Sequence, residues 1–271
     1  MMRIMRTALF AGYLLLLAHS VTPAAEISVL GDLAREWTLQ PGAQVEETIL
    51  VRNNTDRAQE VKVYQTDYLF QANGTNVYGD PGSAPRSNYS WITFAPRQFA
   101  LPPRETFRVQ CVIKVPRDDK LVGTYWSMVM VEAVVGSNDF VRPEDGKPMI
   151  GIRTVVRYGV QMVVNIGDSG KRDIKFLDKQ LIAENGRVIL RLDVANTGER
   201  GLRPTVWAEL YNNNGVSAGR FGGQRLRIYP GCSARIDIDI SPVPKGQYGA
   251  LIVADNLDES VFGTQCKLRI Q

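Results

Sequence analysis

The strongest constraint on this chain is a repeated pattern of short runs in which apolar and polar residues alternate, each closed by a turn sequence. Phe107, Val109, Cys111, Ile113 and Val115 alternate with Arg108, Gln110, Val112 and Lys114 until Pro116-Arg-Asp-Asp119 breaks the run. A period of two places one set on one face of an extended strand and the other set on the opposite face. Runs 45–51 and 60–66 flank the polar turn Arg52-Asn-Asn-Thr-Asp56. Further runs occupy 91–94, 123–135 and, unusually long, 150–166. Segments 73–90 and 136–147, rich in Gly, Pro, Asn and Ser or in charge, read as loops. No stretch of ten or more residues carries a helical period, so the fold class is all-β.

After Gly167-Asp-Ser-Gly170 the pattern restarts. Runs 187–194, 204–211, 224–229, 233–240, 249–254 and 262–270 follow, with Asn196-Thr-Gly-Glu-Arg-Gly201 and Asn212-Asn-Asn-Gly215 as turns. About seven short strands per roughly 100 residues is the pattern of a sandwich. The chain therefore reads as two tandem immunoglobulin-like β-sandwich domains, 26–166 and 167–271. The halves echo one another: Leu50-Val-Arg-Asn-Asn-Thr55 resembles Leu192-Asp-Val-Ala-Asn-Thr197, and Leu101-Pro-Pro-Arg-Glu-Thr-Phe-Arg-Val109 resembles Ile228-Tyr-Pro-Gly-Cys-Ser-Ala-Arg-Ile236. Shared turn chemistry and duplication of one domain both account for the echo.

Ahead of the sandwiches, Arg3 and Arg6 precede an apolar run over 8–17 and a small-residue end at Pro23-Ala-Ala25. This is the layout of a cleaved secretory signal over 1–25, with an apolar run about half as long as a bilayer span. With no later apolar span and no C-terminal anchor expected, the mature protein is placed in the bacterial periplasm or outside the cell, not embedded in a membrane. Removing Arg3 and Arg6 from 32 basic residues leaves 30 against 28 acidic ones, a balance that does not suit nucleic acid. The single histidine is His19, inside the signal. A mature chain without histidine excludes Ser-His-Asp and Cys-His catalysis and histidine-dependent metal sites. No enzyme, cofactor or metal is expected. Asp118-Asp119, Asp237 with Asp239, and Asp255 with Asp258 read as turn and solvent-face residues, and the triplets starting at Asn53, Asn73 and Asn88 as turn chemistry.

Three cysteines remain: Cys111, Cys232 and Cys266. Cys232 shares parity with Ile236, Ile238 and Ile240, and Cys266 with Leu268 and Ile270, so both point inward. A Cys232–Cys266 disulfide is expected, contributing roughly 3–4 kcal/mol by closing the loop; the alternative is two separate buried thiols. Cys111 reads as a buried, inert thiol.

In run 150–166, Val156, Tyr158, Val160 and Met162 share one face with Ile152, Thr154, Val164 and Ile166. A strand of that length at a sheet edge is a template for pairing with another chain. A central strand covered on both faces is the competing reading.

The stretch Trp91-Ile-Thr-Phe-Ala-Pro-Arg-Gln-Phe-Ala-Leu-Pro-Pro-Arg-Glu-Thr-Phe-Arg-Val109, followed by Gly123-Thr-Tyr-Trp-Ser-Met-Val-Met-Val-Glu132, is similar to the corresponding strands of PapD-like periplasmic pilus-assembly chaperones. A weaker resemblance connects it to the extracellular domain of WxL-interacting surface proteins. The chaperone resemblance implies a first-domain edge strand lent to an incomplete pilin-like or surface-protein subunit, and a basic pair anchoring that subunit's C-terminal carboxylate. It places Arg35 and Arg157 as the pair, with Val156, Tyr158, Val160 and Met162 as partner-binding residues on the lent strand. The other function class is a secreted structural or surface-binding sandwich without chaperone activity.

Overall fold

The computed structural model describes residues 25–134 and 155–271. Residues 1–24 of the signal expected over 1–25, the loop 136–147 and the start of run 150–166 lie outside the described residues. The first half holds β1 (Ile27–Leu30), β2 (Ala34–Leu39), β3 (Gln44–Asn53), β4 (Gln59–Phe70), β5 (Asn76–Gly79), β6 (Ile92–Ala95), β7 (Gln98–Leu101), β8 (Thr106–Lys114), β9 (Gly123–Ala133) and β10 (Arg157–Ile166). One sheet runs β1-β3-β8-β6; the other runs β2-β10-β9-β4-β5, with β7 beside β4. The alternation decides which side chains meet between them. Val109, Cys111 and Ile113 of β8 pack with Val61 and Val63 of β4, Val129 and Val131 of β9, and Val160, Met162 and Val164 of β10. Each fully buried aliphatic side chain is worth about 1.5–3 kcal/mol in area removed from water. At Gly31, with φ +87°, the chain leaves the first sheet after β1 and joins the second as β2.

The long loop expected over 73–90 contains the short strand β5, and its remainder is tied down by Asp67. That carboxylate accepts the Ser87 hydroxyl at 2.5 Å and the Ala84 N–H at 2.7 Å. Its burial is therefore offset by charge-assisted hydrogen bonds.

The second half holds β11 (Ile174–Glu184), β12 (Arg187–Asn196), β13 (Thr205–Asn212), β14 (Ser217–Gly222), β15 (Ser233–Asp239), β16 (Gly246–Asp255) and β17 (Val261–Ile270). Its sheets are β11-β12-β15 and β14-β13-β16-β17, closing over Leu190, Leu192, Val206, Leu210, Ile236 and Ile252. The chain is thus all-β, two tandem sandwiches, as the alternation requires. Two details differ from the expectation. Segment 224–229 forms only a single bridge, Leu202 to Ile228, whereas β11 and β14 are strands the pattern did not mark. In β11 the register shifts between Phe176 and Asp178, and such a bulge breaks a period of two.

The sandwiches meet through aromatic rings. Trp126 of β9 stacks on Tyr229 at 4.7 Å between centroids, and Phe70 meets Tyr229 edge-on at 6.0 Å. The Tyr229 hydroxyl donates to Gln161 Oε1 at 2.5 Å, and burial pushes its phenol up to about 12, so it stays a donor. No helix among the described residues is long and apolar enough to cross a membrane.

The expected Cys232–Cys266 bridge is absent: all three cysteines are free thiols. Matching parity put both on inward faces but said nothing of their positions along the strands. The Cys232 carbonyl accepts from Asn196 at the end of β12, where the sandwiches meet. On β17, Thr264, two residues from Cys266, accepts from the Lys179 ammonium, and Lys179 pairs with Leu192, four residues from that end. The two cysteines therefore stand at different levels of the sandwich, which parity does not register. Cys111 is buried, and burial pushes its thiol up to about 12.

Candidate functional site: an open strand edge beside an arginine cleft

β10 is both edge and centre. Over its whole length it pairs antiparallel with β9, from Arg157 opposite Glu132 to Ile166 opposite Gly123. On its other side the parallel partner β2 covers only Gln161 to Ile166. The pairing ends where the Gln161 N–H donates to the Leu33 carbonyl at 2.7 Å. Among the described residues, Arg157 to Val160 have no strand on that side. Because backbone groups alternate in direction along a strand, Gly159 and Arg157 turn their N–H and C=O the same way as Gln161, toward the open edge. Gly159 faces outward beside Met128 and Met130; a Cβ there would sit 2.1 Å from the Met128 Cε. The Met128 and Met130 side chains thus cover one face of Gly159, while among the described residues no strand pairs with its outward N–H and C=O.

The side chains expected to meet a partner divide in two. Val160 and Met162 are fully buried in the first sandwich's own core. They are therefore corrected from partner-binding residues to core residues. Tyr158 is half-buried against the same core, and Val156, just before β10, is 40% exposed.

Arg35 and Arg157 are not brought together. Arg35 shares the inward parity of Trp37 and Leu39, and its guanidinium meets the Glu47 carboxylate of β3 and, at 2.6 Å, the Thr48 carbonyl. It closes the edge of the first sandwich. Arg157 faces outward and pairs with Glu132 at 2.8 Å, a carboxylate that also accepts the Tyr64 hydroxyl at 3.1 Å. β10 register sets Arg35 opposite Met162, five residues from Arg157. That is about 17 Å along the strand. A single carboxylate cannot span such a gap, so the expected clamp is corrected on distance, on facing and on occupancy by internal acids.

Positive charge gathers elsewhere. A cleft of about 580 Å³ opens where Leu33 and Gln161 meet the second sandwich, and Arg203, Arg225 and Arg227 line its far wall. Arg227 is paired with Glu36 of β2 at 2.7 Å. The guanidinium of Arg225 donates through Nε to the Arg203 carbonyl at 2.7 Å. Neither Arg203 nor Arg225 forms an ion pair among the described residues, and both are exposed. Behind them Arg200 donates to the Gly167 carbonyl at 2.7 Å; burial, with Arg172 nearby, lowers its pKa from the usual guanidinium value. Arg200 and Arg203 sit in turns, and Arg225 and Arg227 in 224–229, which the alternation marked as a strand and not as a site. Among the described residues no cluster of three His, Cys, Asp or Glu is arranged to hold a metal ion.

No protein-family model matches the chain, and no curated protein matches it. Similar solved structures include a chaperone–tip adhesin complex of CFA/I fimbriae biogenesis, 12% identical over 89% of this chain and 98% of that one, with a TM-score of 0.48. The class 5 fimbriae chaperone CfaA is 10% identical over 88% of this chain and 98% of its own, TM-score 0.48. A structure of the Salmonella enterica SafA pilin with the SafB chaperone is 13% identical over 92% and 99%, TM-score 0.39. Fimbrial chaperones thus recur among the solved structures that this chain is similar to.

Proposed function

We propose that this protein is a periplasmic, chaperone-like binder of a pilin-like or surface-protein subunit, acting without catalysis by taking an extended segment of that subunit as an added strand on β10. One observation carries the reading: among the described residues Arg157 to Val160 pair with β9 on one side only, because β2 begins its pairing at Gln161. Free N–H and C=O groups on a strand edge supply affinity to an incoming strand, and flanking side chains supply register. Here the flanking groups are Val156 and Tyr158. The open edge runs into the cleft at Leu33 and Gln161, so Arg203 and Arg225 replace Arg35 and Arg157 as the groups that receive the segment's carboxylate. Two sandwiches, 26–166 and 167–271, exported behind a cleaved signal over 1–25, complete the reading.

Gly159→Ala and Gly159→Pro, compared by co-purification from the native periplasm, test it. Both add carbon over Met128, whose methyl end is flexible; only proline removes the outward N–H, a change that edge strands tolerate. The alanine variant is expected to recover the same partner as the parent, and the proline variant at least about fivefold less. Equal recovery by both variants contradicts strand addition and leaves a structural or surface-binding sandwich as the reading.

A further inference from the structure

Among the described residues the two sandwiches touch not only through side chains but backbone against backbone, at a knot formed by the start of β9, the connection 167–171 and the loop 196–201. The Thr124 N–H donates to the Glu199 carbonyl at 2.9 Å, and the Gly201 N–H donates to the Thr124 hydroxyl at 2.7 Å. That hydroxyl in turn donates to Asn165 Oδ1 at 2.5 Å. Glu199 is held from its other side: its N–H donates to the Lys171 carbonyl at 2.7 Å, and its carboxylate accepts the Lys171 N–H at 3.0 Å. The Arg86 guanidinium reaches the same carboxylate at 3.4 Å. The Gly123 N–H donates to the Ser169 hydroxyl at 3.1 Å.

Two glycines make this approach possible. A Cβ on Gly123 would lie 2.1 Å from the Glu199 carbonyl oxygen, and one on Gly170 would lie 2.5 Å from the Gly123 Cα. Both obstacles are backbone, so no rotamer change relieves them, and the chain would have to separate at the knot. Both glycines also have positive φ, +76° and +92°. We propose that the loop 196–201 is a clasp that fixes the angle between the two sandwiches, and that Gly123 and Gly170 are the positioning residues that let it close. The clasp leads directly into Arg203, so its closure sets where the arginine wall stands relative to β10. The inference concerns the geometry of the chain and stands whether or not a subunit is the partner.

The test uses the full mature chain. Gly231 has the same φ as Gly123, +76°, with nothing within 4 Å of a Cβ, so Gly231→Ala adds comparable backbone strain without the clash and keeps the Gly231 N–H and carbonyl that bond Asn196 and Gln71. Gly123→Ala is expected to speed amide exchange at Thr124 and Gly201 by about tenfold or more over that control, while exchange inside each sandwich core is unchanged. Small-angle scattering is expected to show a more extended particle for Gly123→Ala than for Gly231→Ala. Thr124→Val keeps the side chain's shape and the bond to Glu199 but removes the hydroxyl. It is expected to speed exchange at Gly201 alone, and it carries the test if Gly123→Ala does not fold. The proposal is overturned if Gly123→Ala matches Gly231→Ala in exchange and scattering, or if Thr124→Val leaves Gly201 exchange unchanged.

Discussion

Asn53 and Asn196 occupy the same place in the two sandwiches, each buried at the end of a strand and each tying that strand to a distant turn. Asn53 Nδ2 donates to the Arg57 carbonyl at 2.7 Å and to Leu101 at 3.0 Å. Asn196 Nδ2 donates to the Arg200 carbonyl at 2.7 Å and to Ile228 at 2.9 Å. Their backbone N–H groups donate to Glu105 and to Cys232, each four residues beyond the carbonyl just named. One structural device is therefore used twice, an Asn whose amide closes its own turn and clips it to a second one, with Asn53 in the place of Asn196 where the sequence echo had aligned Asn54. Asn53→Ala and Asn196→Ala are each expected to cost about 2–3 kcal/mol in urea unfolding, because buried carbonyls lose their donor. A change under about 0.5 kcal/mol at both positions contradicts this role.

Arg35 and the cleft arginines should separate stability from binding. Arg35→Ala leaves Glu47 without its partner inside the first sandwich, and is expected to lower stability by about 1–3 kcal/mol with partner recovery unchanged. The double change Arg203→Ala, Arg225→Ala touches no ion pair among the described residues and is expected to leave the unfolding free energy within about 0.5 kcal/mol of the parent. It should weaken partner recovery and reduce its dependence on salt. The opposite pattern, with binding lost at Arg35 alone, would restore the first-strand arginine as the carboxylate anchor.

The thiols offer a direct chemical check. Burial pushes Cys111 up to about 12 and Cys232 up to about 11, and it raises Cys266 as well, so the reactive thiolate is scarce at all three near neutral pH. Alkylation of the native chain without reductant is expected to be slow at Cys111 and Cys232. After unfolding, still without reductant, all three cysteines should be labelled. Labelling of Cys111 alone would establish the Cys232–Cys266 bond.

Much of this architecture is legible in the residues. Phe107 through Val115 alternate as β8 does, and both halves follow from strand runs separated by Asn-, Gly- and Pro-rich turns. Even the inward facing of Arg35 was available, since it shares parity with Trp37 and Leu39, but the family resemblance directed it to a cleft instead. What alternation could not supply is anything set by the assembly of elements distant in sequence. That β2 stops short of Gly159 depends on where the chain crosses between sheets at Gly31. Arg203 and Arg225 join Gln161 only when the second sandwich docks on the first. The offset between Cys232 and Cys266 belongs to the register of two sheets, which inward parity does not fix.

Residue-resolved amide exchange across β10, in the free chain and in the complex recovered from the periplasm, tests the central claim most directly. In the free chain, Tyr158 and Val160, which turn toward β9, and Gln161, bonded to Leu33, are expected to be protected, while Arg157 and Gly159 exchange quickly. In the complex, Arg157 and Gly159 should slow by about tenfold or more while Tyr158 and Val160 stay as they were. Fast exchange at Gly159 in both states, with a partner bound, would contradict strand addition at this edge.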